Sequence, residues 1–271
     1  MPQTLAEIRE ILDTRGLRPK HALGQNFLVD HNLLRKLVDS ANVKAGDLVL
    51  EVGPGTGTLT DELLERGCRV IACELDQDLG VHLAERFAPR GEQFRLVMGD
   101  CLESKRELSL AAHAALGKEP FKLVANLPYG AGTPLMMILM SQYPQCSGMW
   151  VTIQYEVAER MLAQPSTRDF GPLGVIAQAS GDVKLLSKLS PECFWPRPKI
   201  DSAMLQWLRG LRPTSEVSTL LDFCAKLFSQ RRKQLGSVLG RETEWPEGVV
   251  PQMRAEELTV RQICKLSGIP S

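Results

Sequence analysis

No stretch of the 271-residue sequence stays apolar for the roughly 20 residues that a membrane helix requires. The first residues lack the apolar core of a secretory signal, and Glu7, Glu10 and Asp13 are out of place in an acid-poor organelle-targeting segment. The expectation is a cytoplasmic protein with no membrane association. Cysteine occurs seven times but never as C-x-x-C, and histidine only four times. That scarcity of paired ligands excludes the common zinc sites, predicts no metal, and reads as reduced thiols. An excess of one charge is missing too: 32 basic residues balance 32 acidic ones, and the pI is near 6.9. Such balance neither proposes nor excludes a nucleic-acid partner, because a basic face can be offset by an acidic one. Apolar residues at 44% and charged residues at 24% are ordinary for a folded chain, which excludes disorder and collagen-like structure.

What is present is concentrated in a few stretches. Leu48-Val49-Leu50-Glu51-Val52 is an apolar run suited to a strand buried on both faces. It breaks into Gly53-Pro54-Gly55-Thr56-Gly57, after which residues 58–66 carry helically spaced leucines and stop at Gly67. Strand, glycine turn and helix open a Rossmann-like nucleotide site, where glycine permits φ > 0 and leaves no Cβ between backbone and ligand. The next apolar run, residues 69–74, ends in Glu74, a carboxylate placed to accept ribose hydroxyls. The spacing is G-x-G-x-G, whereas dinucleotide sites use G-x-G-x-x-G. Asp61 and Glu62 also load the first helical turn with negative charge that repels a diphosphate. S-adenosylmethionine therefore suits the site better than NAD, with Gly53, Gly55, Gly57 and Glu74 as contacts.

The remaining pattern alternates helix and strand. Thr4 opens a capping box for an N-terminal helix, and Asp30 caps a second. Between them, residues 17–28 show no periodicity; Gln25 and Asn26 there suit turn chemistry at least as well as a ligand. After Glu74 come a helix at 78–87 and a strand at 94–98. Asp100 follows it, either at the ligand-binding edge of the sheet or as a helix cap. Residues 103–116 read as a looser helix. The strand at 121–125 runs into Asn126-Leu127-Pro128-Tyr129, where Pro128 stiffens an extended backbone. Asn126 offers a side-chain carbonyl, Leu127 a backbone one, and Tyr129 a ring on which a base can stack. Two acceptors and a ring suit the exocyclic amine of a nucleobase, although Asn-x-Pro alone is also a plain strand-ending turn. A helix from Thr133, a strand at 149–154, a helix at 156–163 and an exposed loop at 166–174 follow. Residues 175–179 fit helix or strand equally. Strands at 183–189 and 203–208 bracket a proline-rich loop containing Phe194 and Trp195, which suit base stacking or core packing. Beyond residue 211 the pattern is helical, with a basic run, Arg231-Arg232-Lys233, that is a solvated face or a phosphate contact. The predicted fold class is α/β: a Rossmann-like nucleotide-binding sheet followed, beyond residue 211, by a small all-α appendage.

Gln25-Asn26-Phe27-Leu28, Glu51-Val52-Gly53-Pro54-Gly55-Thr56-Gly57, Asn126-Leu127-Pro128-Tyr129, Phe194-x-Pro-x-Pro-Lys-Ile-Asp-Ser202 and Phe228-x-x-Arg-Arg-Lys233 occur in this order. The combination resembles the ribosomal RNA adenine dimethyltransferases, particularly the small-subunit group, from about residue 5 onward. The resemblance implies a Rossmann-like S-adenosylmethionine-dependent methyltransferase domain over residues 1–208 and a small all-α domain over residues 209–271, with S-adenosyl-L-methionine held at Gln25, Asn26, Leu28, Gly53, Gly55, Gly57, Glu74, Asp100 and Asn126. It implies catalysis at Asn126, Leu127, Pro128 and Tyr129, with Phe194 on the other face of the target base and Arg231, Arg232 and Lys233 on RNA. The implied activity dimethylates N6 of two adjacent adenines in a small-subunit (16S) rRNA hairpin loop during ribosome biogenesis, on a pre-ribosomal particle, by a monomer. The large-subunit methyltransferases of the antibiotic-resistance type share most of these motifs, and a non-catalytic RNA-binding assembly factor could keep the fold. The family commonly has a basic residue where this chain has His21, a bulkier pair where Gly130 and Ala131 stand, and an arginine in the loop that here reads Gly171-Pro172-Leu173-Gly174.

Overall fold

A computed structural model describes residues 3–20, 23–240 and 242–269; His21 lies outside the described residues. In chain order the elements are α1 (Leu5–Thr14), β1 (Phe27–Leu28), α2 (His31–Ser40), β2 (Leu48–Val52), α3 (Thr58–Glu65), β3 (Arg69–Glu74), α4 (Gln77–Phe87) and β4 (Phe94–Met98). Then come β5 (Leu102–Ser104), β6 (Glu107–Leu108), α5 (Leu110–Leu116), β7 (Phe121–Asn126), α6 (Gly132–Gln142), β8 (Cys146–Gln154), α7 (Tyr155–Leu162) and α8 (Pro172–Ser180). β9 (Gly181–Leu189), β10 (Phe194–Trp195), β11 (Ser202–Arg209), α9 (Thr214–Phe228), α10 (Leu235–Leu239) and α11 (Val260–Leu266) complete the chain.

Seven strands form one sheet in the order β4-β3-β2-β7-β8-β11-β9. The first five are parallel, and β11 and β9 join antiparallel. Side chains of β2 alternate between two cores, as the two-residue period of a strand dictates. Leu48, Leu50 and Val52 enter a cluster with α5, α6 and α8, while Val49 enters one with α2, α3 and α4. Helices therefore cover both faces, which is what a parallel sheet built from apolar runs requires. The buried Val217, Leu220, Cys224 and Leu227 of α9 belong to the first of these clusters and are continuous with the sheet's own core.

One local expectation is corrected, one open alternative is decided and one unforeseen pairing appears. Residues 103–116 are not one helix: the Asp100 carboxylate accepts from Leu102 N (2.9 Å), and Ser104 Oγ accepts from Arg106 N (3.1 Å). These side-chain-to-backbone bonds turn the chain into the β5–β6 hairpin before α5 begins at its Ser109 cap. Residues 175–179 are helical, since Pro172 starts α8 in the first turn, where its missing N–H costs nothing. Residues 27–28, aperiodic in sequence, pair with residues 194–195 as a two-stranded ladder, Phe27 opposite Trp195 and Leu28 opposite Phe194.

Candidate active site

The carboxyl ends of β2, β3, β4 and β7 meet at one edge of the sheet, the edge at which open α/β sheets bind ligands. A cavity of about 560 Å³ opens there, within the range of cofactor sites. Gln25, Asn26, Leu28, Gly53, Gly55, Glu74, Asp100, Asn126, Leu127, Pro128 and Tyr129 all line it. Segments more than seventy residues apart in sequence thus share one wall.

The glycine turn adopts the backbone expected of it: φ is +73° at Gly53, +62° at Gly55 and +88° at Gly57. Its steric reason differs from ligand clearance alone. A Cβ on Gly53 would come within 2.9 Å of Pro128 Cγ, on Gly55 within 2.7 Å of Phe27 Cε1, and on Gly57 within 2.7 Å of Phe87 Cε2. The glycines let three rings close against the turn, and Gly57 packs on Phe87 and does not line the cavity. The acids of the following helix are also not free to repel an anion. Asp61 pairs with Arg86, and Glu62 with Arg66 at 2.8 Å.

Glu74 is buried, with Oε2 accepting from Gly55 N (3.2 Å) and Oε1 from Asp76 N (2.8 Å). Burial holds its pKa above the ordinary carboxylate range, against the lowering effect of those two backbone N–H groups. Each oxygen keeps a further lone pair for a hydroxyl at the cavity wall. A second acid on that wall escaped the sequence reading. Among the described residues Glu51 accepts from the Thr60 hydroxyl alone, at 2.7 Å, and burial pushes its pKa up to about 8. Its position inside an apolar strand was the available signal.

Opposite them, Asn126 Nδ2 donates to the Asn26 carbonyl at 2.7 Å. A carbonyl cannot donate, so the amide's orientation is fixed and Oδ1 is the atom left over for the cavity. The Asn26 amide in turn donates to the Gly24 carbonyl (3.1 Å), so its side chain shapes the segment. Gln25 does likewise: it accepts from Lys20 N (2.8 Å) and donates to Asp76 (2.9 Å). Lys20 bonds the same Asp76 at 2.9 Å. Burial alone would raise the Asp76 carboxyl, but the bonds from Lys20 and Gln25 bring it below its usual value. Tyr129 is half-buried, and its hydroxyl lies 2.8 Å from Ser202 Oγ, a buried group at the start of β11. Burial raises the phenol's pKa, with the Ser202 bond opposing. Ser202 ends one of the sequence motifs, yet nothing in that motif reveals its reach to Tyr129.

Two groups of expected residues are elsewhere. Phe194 is 4% exposed, packed in the core with Leu28 and Leu34 behind β1, and does not line the cavity. Leu28, its antiparallel partner, lies in the same buried cluster, so the ring packs behind the wall that Leu28 lines. Arg231 is committed: Nε bonds Glu256 at 2.6 Å, and NH2 bonds the carbonyls of Thr167 and Arg168 at 3.3 and 2.5 Å. Arg232 and Lys233 are exposed.

Comparison with known proteins agrees with this architecture. Ribosomal RNA small subunit methyltransferase A of Opitutus terrae is 41% identical over 243 residues, covering 88% of this chain and 85% of its own. The protein of that name from Moorella thermoacetica is 36% identical, with 98% and 96% covered. Among solved structures, a dimethyladenosine transferase from Plasmodium falciparum superposes with a TM-score of 0.70 at 23% identity, over 89% of this chain and 98% of its own. The 23S rRNA methyltransferase ErmE gives 0.66 at 23% identity, over 90% and 98%. These two likenesses speak to the fold. The family model described as ribosomal RNA adenine dimethylase matches residues 16–269, which span the cavity, the sheet and the C-terminal helices, and the chain belongs to that family.

Proposed function

We propose that the protein dimethylates the N6 amines of two adjacent adenines in a hairpin loop of small-subunit ribosomal RNA, with S-adenosyl-L-methionine as methyl donor, during ribosome biogenesis. The observation that carries this reading is the pinned Asn126 amide. Its nitrogen is spent on Asn26, and its oxygen remains to accept from an amine entering beside Tyr129. Relatives named for the small ribosomal subunit support the choice of substrate.

The cavity's residues fit the donor. Glu74 is a buried acceptor for ribose hydroxyls, Asp100 stands at the rim for an adenine amine, and the 53–55 turn presents backbone without side-chain bulk. Asn26, Leu28 and Asn126 close the opposite wall. When bound, the donor supplies an electrophilic methyl group on a sulfonium.

This chain's own residues then have to place and activate a weak nucleophile. The lone pair of an adenine amine is delocalised into the ring. Asn126 Oδ1 and the Leu127 carbonyl accept its two N–H bonds, which favours a tetrahedral nitrogen and exposes the lone pair. Pro128 fixes the direction of the Leu127 carbonyl, and the Tyr129 ring stacks on the base taken out of its helix. Transfer would break the donor's S–CH3 bond as the C–N bond forms, leaving a neutral thioether, and the cationic nitrogen would lose its proton to water, so no enzyme base or covalent intermediate is needed. The monomethyl amine retains a lone pair and can react again.

Arg232 and Lys233 contact RNA phosphate, whereas Arg231 ties the 166–168 loop to the C-terminal helices. The protein works in the cytoplasm as a monomer on an assembling subunit. No helix among the described residues is long and apolar enough to cross a membrane. The test is to map methylated adenines in rRNA from cells with and without the gene, and to reproduce the transfer with purified protein, donor and RNA. Loss of a paired dimethyladenine from the small-subunit RNA is expected. Loss from the large-subunit RNA instead, or no donor-dependent transfer, overturns the reading.

A further inference from the structure

A turn with three glycines at positive φ has many conformations available and must be held from outside to keep one of them. One side of the 53–57 turn is held by the rings described above. The other is held by a residue far away in sequence. Gln3 is 4% exposed, and its side chain makes two bonds to the turn and a third to Thr58 at the start of α3. Nε2 donates to the Thr56 carbonyl at 3.0 Å, while Oε1 accepts from the Thr56 hydroxyl at 2.6 Å and from the Thr58 hydroxyl at 2.9 Å. Its backbone is fixed as well, since the Gln3 carbonyl lies 2.7 Å from His31 Nε2 at the start of α2. Thr56 and Thr58 both line the cavity. The amide thus satisfies both of its ends on the backbone and hydroxyls of the turn, where an unpaired buried amide would be costly.

We propose that Gln3 is a positioning residue for the cofactor: it holds residues 54–58 in the receptive shape, so that docking of the N-terminal segment and cofactor binding favour one another. This rests on the reading that the cavity takes S-adenosylmethionine. Coupling of this kind is reciprocal. A bound cofactor therefore slows amide hydrogen exchange in residues 3–14, and loss of Gln3 weakens the cofactor without touching RNA.

The experiment uses the full chain with S-adenosylmethionine and S-adenosylhomocysteine in calorimetry, hydrogen exchange with and without ligand, and steady-state kinetics. Gln3→Ala is expected to weaken both ligands roughly tenfold, the loss of one to two buried hydrogen bonds. It raises KM for the donor while leaving kcat at saturating donor and RNA affinity within about twofold. Ligand-dependent protection of residues 3–14 disappears in that variant. A Thr56→Val, Thr58→Val double variant removes the two hydroxyl partners and leaves the Thr56 carbonyl, so adding Gln3→Ala to it costs clearly less than Gln3→Ala costs the wild type. If the wild-type chain binds neither ligand, the cofactor reading itself fails. If the wild type binds and Gln3→Ala binds equally well, or if kcat and RNA affinity fall along with donor affinity, Gln3 is ordinary structure and the proposal is wrong.

Discussion

Replacing Asn126 with alanine removes the donor to the Asn26 carbonyl and, on the proposed mechanism, an acceptor for the reacting amine. The first loss belongs to the transition state, so turnover should fall roughly 100-fold while RNA affinity changes by less than about threefold. Single-turnover methylation at saturating donor and RNA measures it, and a near-normal rate would remove Asn126 from the mechanism. Tyr129 carries two contributions. On the proposed mechanism its ring serves stacking, worth roughly 1–3 kcal/mol per base. Its hydroxyl is bonded to Ser202 and fixes the ring's direction. Tyr129→Ala should therefore be the worst variant. Tyr129→Phe and Ser202→Ala should each slow methylation by roughly 3- to 10-fold, and their combination no further. Additive losses would mean that Ser202 acts elsewhere. Glu51 predicts a pH effect. Its folded pKa, raised by burial with help from Glu74 and Asp61, is about 8 against an ordinary 4.5. The folded state keeps a proton that the unfolded chain gives up, so this group's stabilisation is complete below about pH 4.5 and is lost as pH rises through about 8. Urea midpoints across that window should fall more steeply for the wild type than for Glu51→Gln; parallel curves would disprove it.

Among the elements, the 53–57 turn depends on parts that reach it from three directions. Phe27 comes from β1, Pro128 from the end of β7, and Phe87 from α4. Phe27 in turn stacks on Trp195 of β10, with ring centroids 6.2 Å apart, and the Arg9 guanidinium of α1 lies 5.2 Å from that indole. Gly55→Ala is therefore predicted to cost about 1–2 kcal/mol from the left-handed backbone alone, before the collision with Phe27. Melting temperature and donor affinity should both drop, and Phe27→Leu in the same chain should recover only part, because the backbone cost stays. Full recovery would show that the φ value is not the constraint.

Across the whole molecule, the basic run after α9 is divided by its environment. Arg231 spans the 166–168 loop and Glu256, so Arg231→Gln should lower stability and leave the salt dependence of RNA binding alone. Changing Arg232 and Lys233 together to Gln should flatten that dependence by roughly two units of slope, about one for each phosphate contact. An unchanged slope would make them a solvated face. That division shows where reading from residues stops. The parallel sheet followed from apolar runs separated by helical spacing, the turn from its alternating glycines, and the placing of Glu74, Asp100 and Asn126 at one edge from strand polarity. Those are local or periodic signals, and in a sheet of parallel strands the chain's direction alone puts strand ends together. Other outcomes needed the third dimension. Phe194 became core because β10 pairs with β1, Arg231 became a tie because Glu256 folds back beside it, and Gln3 and Ser202 reach the site's residues from far apart in the sequence. Each depends on a partner far along the chain, and a residue type by itself carries no record of which distant group will satisfy it once both are buried.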